Sequence, residues 1–172
     1  MRDTIMTGRR PYHTEAGTGR EPAGLIARSP VQVPSSGAVL TLDAVDRQEA
    51  VFARAFAAED LTLARPLYQP DVVYLSPTVR LFDWPRRIEG VDRTLEFIAL
   101  TVARCRDIDY RCVERAVVPG SDAAYVRIQF DWTAGGRRLR STYVVVYRYR
   151  DGRIAQQELY YDPSAPPEIV TV

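Results

Sequence analysis

The chain has 172 residues, enough for one ordinary domain with a real core, and a formal net charge of +1, which gives no electrostatic footprint for a nucleic-acid partner. All 23 basic residues are Arg; there is no Lys and no Asn, and the single His is His13. This excludes a Schiff-base lysine and a metal site built on several histidines, so no metal and no cofactor is expected. No apolar run approaches the roughly 18 residues of a membrane span, and no membrane partner is expected. Cys105 and Cys112 fit neither a metal-ligand spacing nor a disulfide framework; they read as buried small hydrophobes in a reducing, cytoplasmic protein.

In chain order, residues 1 to about 40 come first. They carry five Gly and four Pro without a hydrophobic period. Such a segment buries too little apolar surface to offset its ordering entropy, so it reads as a disordered extension, with Val31 to Leu40 able to dock. The folded domain, 41–172, opens on Thr41 or Asp43 as a helix N-cap. Val45, Val51, Phe52, Ala55, Phe56 and Ala58 then give a helical apolar face. Asp60 caps a second short helix, Leu61 to about Leu67, ended by Pro70. A strand is expected over Val72 to Ser76, and a loop over Pro77 to Glu89. Gly90 or Asp92 opens a third helix through Cys105, with Leu95, Ile98, Ala99 and Val102 facing the core.

Four strands complete the chain: Ile108 to Val118, Ala123 to Thr133, Leu139 to Arg150, and Arg153 to Tyr161. The last two meet at Asp151-Gly152, a hairpin signal. Alternation puts Val126, Ile128, Phe130 and Trp132 on one face, and Tyr143, Val145, Tyr147 and Tyr149 on the matching face of the next strand. Helices first and an antiparallel meander after them is an α+β pattern. The opposite, convex face would carry Tyr125, Val144, Val146, Ile154 and Tyr160. An uncovered face of that kind suits a homodimer.

The A-x-x-x-x-D-L run after the first helix, the D-V-V-Y strand, I-x-G at the third helix and D-G-R-I…Y-Y-D-P at the end resemble the nuclear transport factor 2-like superfamily, also called cystatin-like. That superfamily includes SnoaL-type polyketide cyclases, ketosteroid isomerases and limonene-epoxide hydrolases. The resemblance covers Val45 to Pro163. It implies a cone-shaped, curved, mostly antiparallel mixed sheet wrapped around three N-terminal helices, a pocket and a dimer through the convex face.

The catalytic positions that the resemblance brings are mostly emptied here. The ketosteroid isomerase general-base Asp falls on Ser76, and its oxyanion-hole Tyr and Asp fall on Phe52 and Val145. The acid that cyclases and epoxide hydrolases place on the last strand falls on Leu159. The epoxide hydrolases' Arg and Asp fall on Val126 and Ile128. Their Tyr-x-Asn reads Tyr74-Leu75-Ser76.

What the concave face offers instead is phenols, a hydroxyl and an amide. Tyr74, Ser76, Tyr143 and Gln157 are the candidates to polarise a carbonyl. Phe52, Phe56, Trp84, Phe130, Trp132, Val145, Leu159 and Tyr161 are the candidates to line a site for a hydrophobic, polycyclic or aromatic small molecule. The expected concave face has no carboxylate. Two acids could enter from elsewhere: Asp83, in the loop by the mouth, and Glu114, whose other reading is an ion pair with an Arg on the convex face. Three functions stay open: a SnoaL-like cyclase or isomerase without the usual acids, a non-catalytic ligand-binding or dimerisation module, and a hydrolase or isomerase using Asp83 or Glu114.

Overall fold

Residues 40–171 are described by a computed structural model. But for Leu40, the extension expected over residues 1 to 40 lies outside them. Helix α1 spans Leu42–Ala57, with the Thr41 hydroxyl accepting from the Ala44 N–H at 3.2 Å. Its buried stripe is Val45, Gln48, Glu49, Phe52, Ala55 and Phe56. Asp60 caps Leu61–Leu67 as expected, but this segment is a 3-10 helix with Pro66 inside it.

Strand β1, Tyr68–Leu75, starts four residues earlier than expected and runs through Pro70. The expected loop after it holds a 3-10 turn, Pro77–Leu81, capped by Ser76, and a short strand, β2, Arg87–Glu89. Helix α2 is Val91–Val102 and buries Thr94, Leu95, Phe97 and Ile98. Ala99, expected in the core, is exposed. The long strands are β3 (Arg106–Val117), β4 (Ala123–Ala134), β5 (Arg137–Arg150) and β6 (Arg153–Tyr160). A further strand, β7, Glu168–Ile169, pairs with β5.

The sheet order is β2-β1-β6-β5-β4-β3, antiparallel throughout except for the parallel β1–β6 pair. This is an α+β fold with a mixed, mostly antiparallel sheet. Its inner face meets α1 and α2 in one core containing Val45, Phe52, Tyr74, Phe97, Ile128 and Tyr147. Each large side chain fully buried there contributes about 1.5–3 kcal/mol.

The alternation expected on β4 and β5 holds: Val126, Ile128 and Phe130 are buried, as are Val145 and Tyr147. On β6 it breaks at one place. Arg148 pairs with Gln156 but Tyr149 pairs with Ile154, an irregularity that reverses the phase. Ile154, expected on the convex face, is therefore fully buried. Gln157 and Leu159 keep their inward positions beyond it.

Candidate functional site

The inner face and the helices leave a cavity of about 310 Å³ between them. Strands β4, β5 and β6 give it Phe130, Trp132, Tyr143, Val145, Gln157 and Leu159. Helix α1 adds Phe52 and Phe56, β1 adds Tyr74, and Tyr161 closes one side. Rings touch edge to face and in tilted pairs: Phe56 and Phe130 have centroids 5.4 Å apart, Tyr143 and Tyr161 5.6 Å. Leu95, Ile98 and Val102, expected to face the core, also line it, and the lining residues that the sequence pattern does not reveal are Leu61, Ala64, Thr78, Thr101, Cys105, Tyr110 and Ser141. Among the described residues lining the cavity, none carries a charge.

Its polar groups are specifically arranged. The Tyr68 hydroxyl, behind the wall, donates to Gln157 Oε1 at 2.6 Å. That fixes the amide and leaves its N–H groups for the cavity. Among the described residues no hydrogen bond engages the Tyr143 hydroxyl, and burial pushes this phenol well above its usual range. Tyr143 is therefore a neutral donor. Burial raises the Tyr74 and Tyr161 phenols, and the nearby Ser76 hydroxyl opposes that rise without a hydrogen bond of good geometry to either.

Three expected site residues are not in the cavity wall. Ser76 is buried, and its hydroxyl donates to Thr78 Oγ1 at 3.1 Å and caps the following turn. Trp84 packs outside against Phe97 (centroids 5.1 Å) and under the Arg93 guanidinium, 5.5 Å from the ring centroid. Asp83 is exposed in the left-handed region at φ 55°, a turn conformation that Asp tolerates. It does not reach the cavity. Glu114 does not either: it pairs with Arg127 at 3.1 Å on the convex face. The cysteines are half-buried, and Cys105 lines the cavity. Burial pushes the Cys112 thiol up to about 11.

One carboxylate does approach the site, from an unexpected element. Glu49 of α1 is only 4 % exposed. It accepts from the Tyr110 hydroxyl at 2.5 Å and from Gln48 Nε2 at 3.0 Å. Tyr110 lines the cavity; Glu49 stands directly behind it. Burial raises the Glu49 carboxyl above its usual range, opposed by the hydrogen bonds from Tyr110 and Gln48. The sequence does hold a signal for it. Glu49 falls between Val45 and Phe52 on the same helical stripe, where an acid must be buried with partners.

A larger, outward-facing hollow of about 460 Å³ adjoins the cavity. Phe56, Leu61, Leu95, Val102 and Cys105 line both. Its rim is charged, with Arg65 and Asp92 paired at 2.5 Å. The inner cavity is free of charged lining residues, whereas the hollow carries Glu59, Asp60, Arg65, Asp92, Glu96 and Arg106.

The family model of the SnoaL-like domain matches residues 49–157. The chain belongs to the SnoaL-like domain family. No curated protein matches it. Among solved structures it resembles a proposed isomerase from Bacillus subtilis (TM-score 0.59, 20% identity, 70% of this chain and 88% of that one). It is also similar to a limonene-epoxide-hydrolase-like enzyme of Mycobacterium tuberculosis (0.54, 20%, 70% and 84%). A proposed polyketide cyclase from Sinorhizobium meliloti matches at 0.52, with 20% identity over 68% of this chain and 98% of that one. At these identities the likenesses show the nuclear transport factor 2-like fold and no activity. Among the described residues of this SnoaL-like chain, no helix is long and apolar enough to cross a membrane.

Proposed function

We propose that this SnoaL-like protein takes a compact, flat, carbonyl-bearing aromatic or polycyclic molecule into the inner cavity and promotes its cyclisation or isomerisation. The observation that carries the reading is the lining: a charge-free, ring-walled cavity of about 310 Å³ whose polar groups include Tyr143, Gln157, Tyr74 and Tyr161. That volume is at the low end of small-molecule sites. Preorganised phenolic and amide donors in an apolar-walled cavity stabilise charge developing on a carbonyl oxygen better than water does. The aromatic walls hold the ring system in one orientation. The neighbouring structures named as an isomerase and a polyketide cyclase favour the same chemistry.

The test is a panel of aromatic ketones and quinones titrated into the full chain, followed by tryptophan fluorescence through Trp132. Tyr143→Phe and Gln157→Leu should each weaken binding by about 0.5–1.5 kcal/mol, one neutral hydrogen bond. Turnover should fall further, because the bond tightens as the oxygen gains charge. Ligand binding untouched by both substitutions would reject the cavity as the site.

The same reading includes a homodimer through the convex sheet face. Tyr125 and Tyr160 are 39% and 54% exposed there, with Val144 and Val146 half-buried between them. Glu114, Arg127, Arg148 and Glu158 surround this apolar centre. A patch with both signs around it complements itself under a two-fold axis, so the partner is a second copy of this chain.

A further inference from the structure

We propose that Tyr110 and Glu49 form a proton relay serving the cavity, in which the phenol meets the substrate and the carboxylate behind it receives the proton. The proposal rests on the cavity reading above and supplies the base that reading lacks. Tyr110 is the only cavity-lining group among the described residues whose hydroxyl donates to a carboxylate, Glu49 Oε2 at 2.5 Å. Glu49 is shut off from solvent, and no guanidinium pairs with it among the described residues. A buried carboxylate without a cation is costly unless it has a task or a proton.

The groups that face Glu49 set its basicity. From α1 come Asp46, whose like charge raises it, and Gln48, which donates to it. From β3 come Tyr110 and the Cys112 thiol; from β5 come Tyr143, Tyr147 and Tyr149; from β1 comes Tyr68. The Tyr147 hydroxyl lies near enough to favour the charge but makes no hydrogen bond of good geometry. All of these are neutral except Asp46, whose ion pair with Arg115 lies on the outer side. Apolar burial therefore makes Glu49 a stronger base than an exposed carboxylate, which is the direction a general base requires.

The step balances within the named groups. A C–H bond next to the substrate carbonyl breaks, and its electron pair moves to the carbonyl oxygen as an enolate. The proton goes to Tyr110 Oη while the proton already there passes to Glu49 Oε2. Tyr143 and Gln157 donate to the enolate oxygen. Return of the proton to a different carbon completes an isomerisation, and attack of the enolate carbon on a second carbonyl of the same molecule completes a cyclisation.

The probe is 1-tetralone, an aromatic ketone with exchangeable protons beside its carbonyl. Proton NMR in deuterated buffer follows exchange catalysed by the full chain, and tryptophan fluorescence follows binding. The expected result is exchange faster than buffer, rising with pH through a carboxyl titration above 4.5. Glu49→Gln and Tyr110→Phe should each slow it by roughly 10²-fold or more while tetralone affinity stays within about twofold. Glu49→Asp should keep a pH-dependent rate, and Glu49→Gln should not. Exchange unchanged in both variants would overturn the relay, as would a wild type that binds tetralone without accelerating exchange; the cavity reading would survive either. A wild type that does not bind tetralone would overturn both.

Discussion

Two buried acids show how the same residue type acquires opposite properties here. Asp131 of β4 is 3 % exposed, yet it accepts from Arg140 Nε and Nη2, both at 2.8 Å, and from Arg111 Nη2 at 3.1 Å. The Arg140 hydrogen bonds hold its carboxyl below the usual range, against the effect of burial. Glu49 has phenols and an amide in place of guanidiniums, and burial raises it. The signs of their pH dependence follow. Asp131 contributes stability that is full above its ordinary value of 3.8 and is lost as pH falls through its lower folded value. Asp131→Asn should cost about 1–3 kcal/mol at neutral pH, by urea denaturation, and the cost should shrink in acid. Glu49 favours the folded state below 4.5 and loses that contribution as pH rises toward its folded value. Glu49→Gln keeps the shape and removes the charge. Its melting temperature should therefore gain on wild type from pH 4.5 upward; a wild type and variant that run parallel would show Glu49 to be solvated.

At the scale of elements, periodicity is legible in the sequence and phase is not. The alternation in β4 and β5 is long and strong enough to fix both faces from the residue pattern alone. Strand β6 is short, and the irregularity at Tyr149 and Ile154 shifts its first residues by one, which no pattern of that length reveals. The apolar members of helix α1 define its stripe, and they draw attention away from Glu49 on the same stripe. The loop after β1 looks featureless because Pro77 and Pro85 break every period, although Pro77 opens the 3-10 turn capped by Ser76. That turn and its packing carry Trp84 away from the cavity, and Asp83 stays exposed beside it. The phase of β6 beyond the irregularity can be tested. Leu159 pairs with Val145 and lines the cavity. Leu159→Asp should leave the chain folded and give an acid that titrates above the ordinary range, read by carboxyl carbon NMR. A solvent-like titration would put Leu159 outside, and Gln157 with it.

At the scale of the whole molecule, the inner face of the sheet is consumed by the helices and the cavity, so the proposed homodimer would use the outer face. Its centre is apolar where β4, β5 and β6 cross: Tyr125 pairs with Val146, and Val144 with Tyr160. Its edge is fixed by ion pairs, Glu114 with Arg127 and Asp131 with Arg140. Stable interfaces bury roughly 1,200–2,000 Å² in total, with an apolar centre and a polar rim, and this face has that anatomy. In a two-fold contact each substitution enters twice. Val146→Glu would place a charge beside Glu158, its cross-strand neighbour, and bring the same pair from the second copy toward it. Like charges brought together in a desolvated contact cost on the order of several kcal/mol, enough to weaken a dimer by well over tenfold. Within one chain the same position is only half-buried, so the fold should survive the change. Sedimentation velocity should therefore show wild type as a dimer and the variant as a folded monomer with an unchanged circular dichroism spectrum. A monomeric wild type, or a variant that stays dimeric, would remove the convex face as the interface.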